Sequence, residues 1–299
     1  MSFDAIVIGG SYAGLSAALQ LVRARRKVLV MDSGQRRNRF AEHSHGFLGQ
    51  DGRAPGAIAA DARAQLMKYP TVAWVDAKAT TSEGEANAFT VSTENGARYQ
   101  ARRIILAAGV VDTLPDVPGL AERWGKHVFH CPYCDGYELD QGRIGVLASS
   151  EMSMHHALML PDWGSTTLFL NGAFEPDAGQ MAQLKKRDVT IEHAPIAKLS
   201  GASVDVELAD GRIIPLDGMF TLTRTSPASP LGAQLGCTME DGPMGPFLQT
   251  DMFKETTVPG VFACGDMARA TGSVALAVGD GAMAGVGAHR SLMFGTGHG

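Results

Sequence analysis

The chain has 299 residues, enough for two domains with sizeable cores, and its 45% hydrophobic and 19% charged content are ordinary for a globular protein. A net charge of -5 without a long basic cluster argues against nucleic acid as the main partner. No apolar run is long enough for a transmembrane helix, and no basic region precedes an apolar stretch at the N-terminus, so we expect neither a membrane partner nor a signal peptide.

The N-terminal segment has the pattern of a βαβ dinucleotide-binding unit. A short apolar run at residues 5–8 leads into the sequence GGSYAG at residues 9–14, and residues 15–22 are predicted to form a helix. A second apolar run at residues 27–31 ends at Asp32. Strand, glycine turn, helix, strand and terminal acid together are far more specific than a glycine pattern alone.

Four residues of this unit have predicted roles. Gly9 permits the tight turn, Gly14 permits close packing of the helix, and the helix N-terminus suits a pyrophosphate. Asp32 lies where a carboxylate binds the adenosine ribose hydroxyls. Ser11 stands where a middle glycine is usual, and its hydroxyl could donate to phosphate.

The basic loop at residues 36–39 has two interpretations. It is either a solvated loop or a segment that places an arginine, Arg39 above all, near the cofactor phosphates or flavin. The HSHG sequence at residues 43–46 lacks the carboxylate or cysteine neighbours of a convincing metal site.

Further elements complete the first domain. We predict a helix at residues 55–67, a strand at residues 72–75 and a hairpin whose turn is ENG at residues 94–96. The buried strand at residues 104–109 ends in small residues, which leaves room for a cofactor beside the sheet edge. A stiff proline-containing segment at residues 114–119 marks the first domain boundary.

A pair of cysteines beyond this boundary is the centre of the predicted chemistry. Cys131 and Cys134 share one turn and can close a small disulfide ring. The thiol nearer a helix N-terminus usually has a lowered pKa, which suits thiol–disulfide exchange. Asp135 could pass a proton to or from a departing thiolate, and His130 either favours the thiolate or is a solvated surface residue.

The alternative for this pair is half of a structural zinc site. Such a site needs two further ligands, usually a second close pair, whereas Cys237 and Cys264 are isolated from each other in apolar or glycine-rich sequence. We therefore expect no metal, and we expect Cys237 and Cys264 to be small buried residues. Four cysteines in this length do not form a disulfide scaffold, so a reducing cytoplasm is the expected compartment.

The second half repeats the strand–helix–strand pattern without its chemistry. A strand at residues 144–147, a helix at residues 152–160 and a strand at residues 167–170 are predicted. The turn at residues 148–153 contains no glycine, and Glu151 within it would repel a phosphate. No basic residue follows the second strand to receive a 2′-phosphate.

Other features of this half are predicted from local pattern. The two histidines at residues 155–156 either line a site or, as we favour, form a solvated pair on their helix. A hairpin is expected about residues 209–211, loops at residues 226–230, and the second domain crossing near residues 242–246.

The C-terminal segment contains a second candidate contact for a cofactor. A strand at residues 261–263 leads to Asp266, which is either a turn residue or a hydrogen-bond partner for the ribityl–phosphate part of a flavin. The Ala- and Gly-rich helix predicted at residues 273–290 can pack closely on sheet and ligand, and its N-terminus suits an anion or a flavin.

Together these motifs resemble those of the thioredoxin-reductase-like flavoproteins, over nearly the whole chain. The resemblance rests on IGG–AG at residues 8–14, CPYCDG at residues 131–136 and PGVFACGD at residues 259–266. It implies an α/β fold of two Rossmann-like, three-layer ββα domains and a homodimer. The FAD-binding domain would comprise residues 1–115 and 246–299, interrupted by a degenerate nucleotide-binding domain at residues 116–245.

The resemblance also implies roles for individual residues. Cys134 would lie against the flavin, Cys131 would meet the substrate, and Asp135 would be the acid–base carboxylate. The predicted FAD-binding residues are Gly9, Ser11, Tyr12, Ala13, Gly14, Asp32, Ser33, Arg39, His45, Ala79, Ala108, Gly109, Gly265, Asp266, Val274 and Ala275.

Departures from the family pattern direct the functional prediction. The second glycine motif and the basic stretch for NADPH are missing, and the usual Arg-Gln-Ala near the C-terminus is replaced at residues 272–274. This pattern is similar to that of the dithiol oxidases that close disulfides in gliotoxin, holomycin and romidepsin. It implies oxidation of a small-molecule or peptide dithiol through FAD, with dioxygen as the acceptor. The alternatives are an NAD(P)H-dependent disulfide reductase and a flavin-binding redox sensor.

Overall fold

The computed structural model of the chain describes residues 2–296 and divides into two compact units. The first unit runs up to Arg39, continues over Ala54–Val111 and resumes from Thr225. The second unit comprises Phe40–Arg53 and Asp112–Arg224. Both are mixed α/β units built on parallel strands, as the fold prediction requires.

The first unit has a seven-stranded sheet flanked by helices. In space the strands follow the order β3-β2-β1-β6-β5-β4, and β19 also pairs with β6. The elements are β1 (Ser2–Ile8), α1 (Tyr12–Arg23), β2 (Val28–Asp32), α2 (Pro55–Leu66), β3 (Val72–Asp76), β4 (Ala79–Glu83), β5 (Phe89–Thr93), β6 (Arg98–Leu106), α6 (Leu231–Gln234), β17 (Met239–Gly242), β18 (Gly245–Leu248), β19 (Val261–Ala263) and α7 (Val274–Phe294).

Parallel pairing brings the strand ends of this unit to one edge. Strand β1 pairs in parallel with β2 and with β6, and β19 pairs in parallel with β6. The β1 strand is almost wholly buried from Ala5 onward, as its continuous apolar run predicts. The carboxyl ends of β1, β2, β6 and β19 therefore lie together, which is where open α/β sheets bind ligands.

Helices α1 and α7 cover one face of the sheet and touch each other directly. A Cβ atom on Gly281 would collide with the carbonyl oxygen of Ala13, and one on Gly285 would lie 3.1 Å from the carbonyl carbon of Ala17. The Ser16 hydroxyl donates to the Val278 carbonyl at 2.7 Å. This close approach fixes the start of α7 beside the start of α1.

The second unit contains a five-stranded parallel sheet and a three-stranded antiparallel sheet. Their orders are β11-β10-β9-β15-β8 and β12-β13-β14. The elements are β8 (Val128–Phe129), α3 (Pro132–Asp135), β9 (Gln141–Leu147), α4 (Met154–Met159), β10 (Gly164–Phe169), α5 (Ala178–Lys186), β11 (Thr190–Glu192), β12 (Ile196–Ser200), β13 (Val204–Leu208), β14 (Ile213–Leu216) and β15 (Gly218–Thr221).

Two short strands occur where the chain passes from one unit to the other. Strands β7 (Val110–Thr113) and β16 (Arg224–Pro227) form a two-stranded sheet of their own. The prediction of a loop at residues 226–230 is therefore wrong for its first residues. Pro227 is compatible with β16 because it stands at the end of a strand that has only one partner.

The units differ from the predicted domains at three places: the first crossing falls after Val111 rather than after residue 115, and two larger differences follow. The second crossing falls after Arg224 rather than near residues 242–246, because residues 225–245 pack with the first unit. The Ser82 hydroxyl donates to the Leu231 carbonyl, and Leu231 and Leu248 are buried in the core around β6. The expected crossing at residues 242–246 is instead the turn between β17 and β18.

The second of the larger differences concerns Phe40–Arg53, which was expected in the first domain but belongs to the second unit. Phe40 packs against Gly125, and the His45 imidazole contacts Glu138. Within the described residues 2–296, no helix has both the length and the apolar character needed to span a membrane.

Candidate active site

The turn between β1 and α1 is shaped for close approach of a ligand. Gly9 has φ of +107°, and a Cβ atom there would lie 2.6 Å from the carbonyl carbon of Ala107. A Cβ atom on Gly14 would collide with the Gly9 carbonyl oxygen. Ser11 precedes α1 in an extended conformation and does not cap it through its side chain. The first N–H groups of α1 are therefore not occupied by that side chain and suit a phosphate.

Asp32 lies at the same sheet edge, at the end of β2. Its Oδ1 accepts a hydrogen bond from the Gly10 backbone N–H at 3.1 Å. The carboxylate is thus held beside the glycine turn, where the sequence predicts contact with a ribose. Buried Tyr12 opens α1, and its hydroxyl donates to the Pro55 carbonyl at 3.0 Å.

The end of β19 adds a charged pair to this edge. Arg37 donates from Nη1 to Asp266 Oδ2 at 2.9 Å, and both side chains are about four-fifths buried. Arg39, the arginine that the sequence favours, is exposed and donates instead to the Arg36 carbonyl at 2.9 Å. Arg37 is thus a charged neighbour of Asp266 that the sequence did not single out.

Most of the remaining predicted cofactor residues also lie in the first unit, near strand or helix ends. Val274 and Ala275 form the start of α7, whose N-cap Ser273 accepts from the Leu276 N–H at 3.2 Å. Four of them follow strand ends, namely Ser33 after β2, Ala108 and Gly109 after β6, and Gly265 after β19. Ala79 instead begins strand β4. His45 is the exception, because it belongs to the second unit.

These residues fit the adenosine and pyrophosphate parts of FAD. A glycine turn that excludes Cβ atoms, a helix start without a side-chain cap and a carboxylate at the next strand end occur together. Gly9, Ser11, Tyr12, Ala13 and Gly14 would hold the pyrophosphate, and Asp32 would hold the ribose.

The cysteine pair lies in the second unit on the short helix α3. Cys131 is the N-cap residue, and its carbonyl accepts from the N–H groups of Cys134 and Asp135. Both cysteines are half-buried free thiols. A hydrogen bond from the Cys134 side chain, helped by the backbone amides of Cys134 and Tyr133, lowers the pKa of the Cys131 thiol, against burial and the charge of Asp135. The lowered pKa favours the thiolate form of Cys131, which is the form that takes part in thiol–disulfide exchange.

Asp135 has the electrostatic properties of an acid–base group. Burial first, and then the negative charge of Glu138, raise the pKa of Asp135 to about 7, while His45 acts in the opposite direction. A carboxyl group that titrates near neutrality can both accept and donate a proton under ordinary conditions. It directly follows Cys134 in the same helical turn.

Aromatic side chains flank the cysteine pair. Tyr133, between the two cysteines, is 73% exposed, and Tyr137 is 86% exposed. The Tyr133 ring meets the Trp163 ring edge to face, with centroids 5.4 Å apart. Exposed rings beside reactive thiols offer an apolar contact surface for a substrate.

The turn after β9 is the second unit's counterpart of the glycine turn, and its own side chains occupy it. The Ser149 N–H donates to the Ser153 hydroxyl at 3.0 Å. Glu151 accepts from the Gln180 side chain at 2.6 Å, and Gln180 belongs to a capping box with Asp177. The turn therefore presents a carboxylate, and one of its own serine side chains binds the Ser149 N–H, where a nucleotide phosphate would bind.

Three other expectations concern isolated residues. Cys237 is 6% exposed and Cys264 is fully buried, and burial raises the pKa of both, to about 12 for Cys264, so their prediction as inert buried residues is confirmed. The prediction that the histidines at residues 155–156 form a solvated pair is wrong for His156. His155 is exposed, but His156 is 4% exposed, and burial and the neighbouring imidazoles of His155 and His130 lower its pKa to about 4.

Comparison with known proteins agrees with this arrangement. The family model described as pyridine nucleotide-disulphide oxidoreductase matches residues 3–281. Thioredoxin reductase tcpT of Claviceps purpurea is 34% identical, over 97% of this chain and 94% of its own. An oxidoreductase from Agrobacterium tumefaciens has a TM-score of 0.96 and 59% identity over 98% of this chain and 99% of that one. The structure of HlmI has a TM-score of 0.91 and 36% identity over 98% and 93%.

The fold and the paired cysteines define a flavin-dependent thiol/disulfide oxidoreductase. The chain belongs to the pyridine nucleotide-disulphide oxidoreductase family, among its thioredoxin-reductase-like flavoproteins, and its cofactor is FAD. The predicted family, fold class, enzyme class and cofactor are confirmed.

Sequence reasoning missed Glu138 as a neighbour of the thiol site and did not connect His45, a predicted cofactor residue, with that site. Glu138 lies three residues after Asp135, a spacing that places both on one side of a helical turn, and that spacing was an available signal. The contact between His45 and Glu138 joins residues 93 positions apart, and no local pattern indicates it.

Proposed function

We propose that the chain is an FAD-dependent dithiol oxidase, which closes a disulfide in a small-molecule or peptide dithiol. The observation that carries the proposal is the self-occupied turn after β9, where Ser153 and Glu151 stand in place of a nucleotide site. The glycine turn of the first unit and the Cys131–Cys134–Asp135 group are, in contrast, intact. Electrons would enter from a dithiol rather than from a nicotinamide.

The cysteine pair and its carboxyl group perform the thiol chemistry. A substrate thiol gives its proton to the Asp135 carboxylate and attacks Cys131 Sγ of the oxidised pair, which forms a mixed disulfide and releases Cys134 as a thiolate. After Asp135 has released the first proton, the second substrate thiol gives its proton to the same carboxylate and attacks the substrate sulfur, which forms the product disulfide and releases Cys131 as a thiolate. The substrate has lost two electrons and two protons, and the cysteine pair holds the electrons.

FAD, when bound, would supply a two-electron acceptor for the Cys131–Cys134 dithiol, and dioxygen would take up the electron pair as hydrogen peroxide. This chain's residues contribute positioning: α1 and Asp32 hold the cofactor, and α3 presents the two sulfur atoms.

An anaerobic titration of the visible flavin absorbance tests the proposal. We expect bleaching by a simple dithiol such as dithiothreitol and no rapid bleaching by NADPH or NADH. Readmission of air should restore the colour with one hydrogen peroxide formed per dithiol consumed. Rapid bleaching by a nicotinamide would refute the proposal in favour of the reductase.

The reductase is kept as a second candidate because one observation favours it. The relative from Claviceps purpurea is named a thioredoxin reductase, and it aligns over nearly the whole chain. The same cysteine pair would then run in reverse, with NAD(P)H reducing a disulfide. A third candidate, a redox sensor, would hold one redox state and show no steady consumption of dithiol.

We also propose that the protein is a homodimer through one face of α7. The apolar residues Leu276, Met283, Val286 and Met293 recur at spacings of seven, three and seven and are 40–48% exposed. This is the pattern of a helix stripe that packs on another chain. A Met283→Glu, Val286→Glu variant should be monomeric by light scattering, whereas Met181→Glu, at an exposed site in the second unit, should leave the mass unchanged.

A further inference from the structure

One imidazole lies among the carboxylates beside the cysteine pair. His45 Nε2 is 3.4 Å from Glu138 Oε1, and His45 Nδ1 is 3.7 Å from Asp51 Oδ1. Asp51 is itself held in place, because its Oδ1 accepts from the Gly46 N–H at 2.8 Å. All of these residues belong to the second unit, as does Asp135.

These groups form a series from the protein interior to solvent. Asp135 is half-buried, and the His45 side chain is 22% exposed. The Glu138 side chain is 42% exposed and that of Asp51 is 67% exposed. A proton that leaves Asp135 therefore has titratable groups of increasing exposure on its way to water.

The charges of His45 and Glu138 act on Asp135 in opposite directions. Besides burial, the negative charge of Glu138 raises the pKa of Asp135, and His45 lowers it. His43 is the other titratable neighbour of His45, with ring centroids 6.3 Å apart, and the Cys131 thiol faces Asp135 from its own turn. Geometry adds to this, because Glu138 follows Asp135 by three residues, in the helical turn directly after α3, and the His45 imidazole contacts Glu138.

We propose that His45 and Glu138 relay protons between Asp135 and solvent during thiol oxidation. The inference rests on the proposed function, in which each dithiol releases two protons at the cysteine pair. Asp135 has one carboxyl group and must lose the first proton before it can accept the second. The proton passes from Asp135 to the His45–Glu138 pair and then to water, and no electron moves in this step.

The first test needs no turnover. In the reduced protein, iodoacetamide alkylation of Cys131, followed by mass spectrometry against pH, reports the Cys131 thiolate and its response to Asp135. His45→Gln should move the Asp135 inflection upward, and Glu138→Gln should move it downward, each by roughly 0.5–1 pH unit. His43→Gln, an exposed neighbour that is not part of the relay, is the matched control and should leave the inflection in place.

The second test measures the relay during catalysis. His45→Ala should lower aerobic dithiol turnover roughly tenfold, and added imidazole should restore most of the loss, because a diffusible base can replace the missing ring. The relay would be overturned if the Asp135 inflection shifted in the same direction in His45→Gln and Glu138→Gln, or in neither, and if imidazole did not restore the turnover of His45→Ala. If wild-type protein consumes no dithiol, the proposed function fails by itself, and the alkylation profiles still decide whether His45 and Glu138 govern Asp135.

Discussion

The first unit and the second unit each contain a strand that leads through a turn into a helix, and the two turns have opposite contents. After β1, the backbone packs so closely at Gly9 and Gly14 that neither position has room for a Cβ atom. Ser11 leaves the start of α1 without a side-chain cap. After β9, the Ser153 hydroxyl accepts the Ser149 N–H and Glu151 adds a carboxylate, although the helix that follows also has no side-chain cap. The same local fold therefore carries different groups at its two turns, so backbone topology alone does not predict a nucleotide site.

The cysteines show the complementary contrast. The first unit holds Cys237 and Cys264, which are buried and have raised pKa values. The second unit holds the half-buried pair Cys131 and Cys134, and the pKa of Cys131 is lowered. The unit that has lost the features of a nucleotide site thus carries the thiol chemistry.

The largest expected effect tests this contrast between cysteines. Cys134→Ser should lower dithiol turnover by roughly 10³-fold or more, because no disulfide can then form with Cys131. Cys237→Ser, the matched change in the first unit, should retain turnover. The measurement is oxygen consumption with a simple dithiol. Comparable losses of turnover in both variants would contradict the assignment of the thiol chemistry to the Cys131–Cys134 pair.

Asp135→Asn tests whether the second unit also supplies the acid–base group. Below about pH 7 Asp135 is protonated and cannot accept a thiol proton, so wild-type turnover should rise as the pH passes through about 7. The variant should lose roughly 10² in rate and lose this inflection. Asp140→Asn, an exposed neighbour whose φ of +48° asparagine also tolerates, should keep the wild-type profile. An unchanged profile in Asp135→Asn would assign the inflection to another group.

Gly14→Ala tests the cofactor turn of the first unit. The added Cβ atom would collide with the Gly9 carbonyl oxygen, so the turn must shift and the purified protein should contain roughly tenfold less FAD. Gly279→Ala adds the same methyl group on α7, where no atom lies within 4 Å, and should keep its flavin. The ratio of visible to protein absorbance measures both, and full flavin in Gly14→Ala would contradict the assignment.

The smallest effect compares the two serines at the helix starts. Ser153→Ala removes the acceptor of the Ser149 N–H and should lower the free energy of unfolding by about 1 kcal/mol. Ser11→Ala removes no capping bond and should cost about 0.2–0.3 kcal/mol, when urea unfolding is measured on flavin-free protein so that the predicted contact of Ser11 with phosphate does not contribute. Equal losses in the free energy of unfolding would mean that Ser11 stabilises its turn as much as Ser153 stabilises the other.

The parts of the molecule that could be predicted are those with strong local rules. The glycine turn, the cysteine pair, the hairpin turn at residues 94–96 and the long helix α7 follow from spacing and residue type. The same holds for the missing features of the second turn, because the absence of glycine at residues 148–153 is visible in the sequence.

The parts that could not be predicted depend on contacts between distant residues. Nothing near residues 225–245 indicates that Leu231 and Leu248 complete the core of the first unit. The burial of His156 depends on Phe220, whose ring meets the imidazole with centroids 6.2 Å apart, and the two histidines look alike in sequence. The grouping of Phe40–Arg53 with the second unit is likewise set by partners such as Glu138.

The close contact between α1 and α7 has a consequence for the order of synthesis. The helix that receives the phosphates is made first, but the helix that lies against it begins at Val274, after the whole second unit has been made. Ribosomes add roughly 5–20 residues per second, so the thiol-bearing unit is complete while the cofactor unit still lacks α7. We therefore expect flavin incorporation to await the synthesis of α7, and a chain that stops before α7 to carry the cysteine pair without flavin colour.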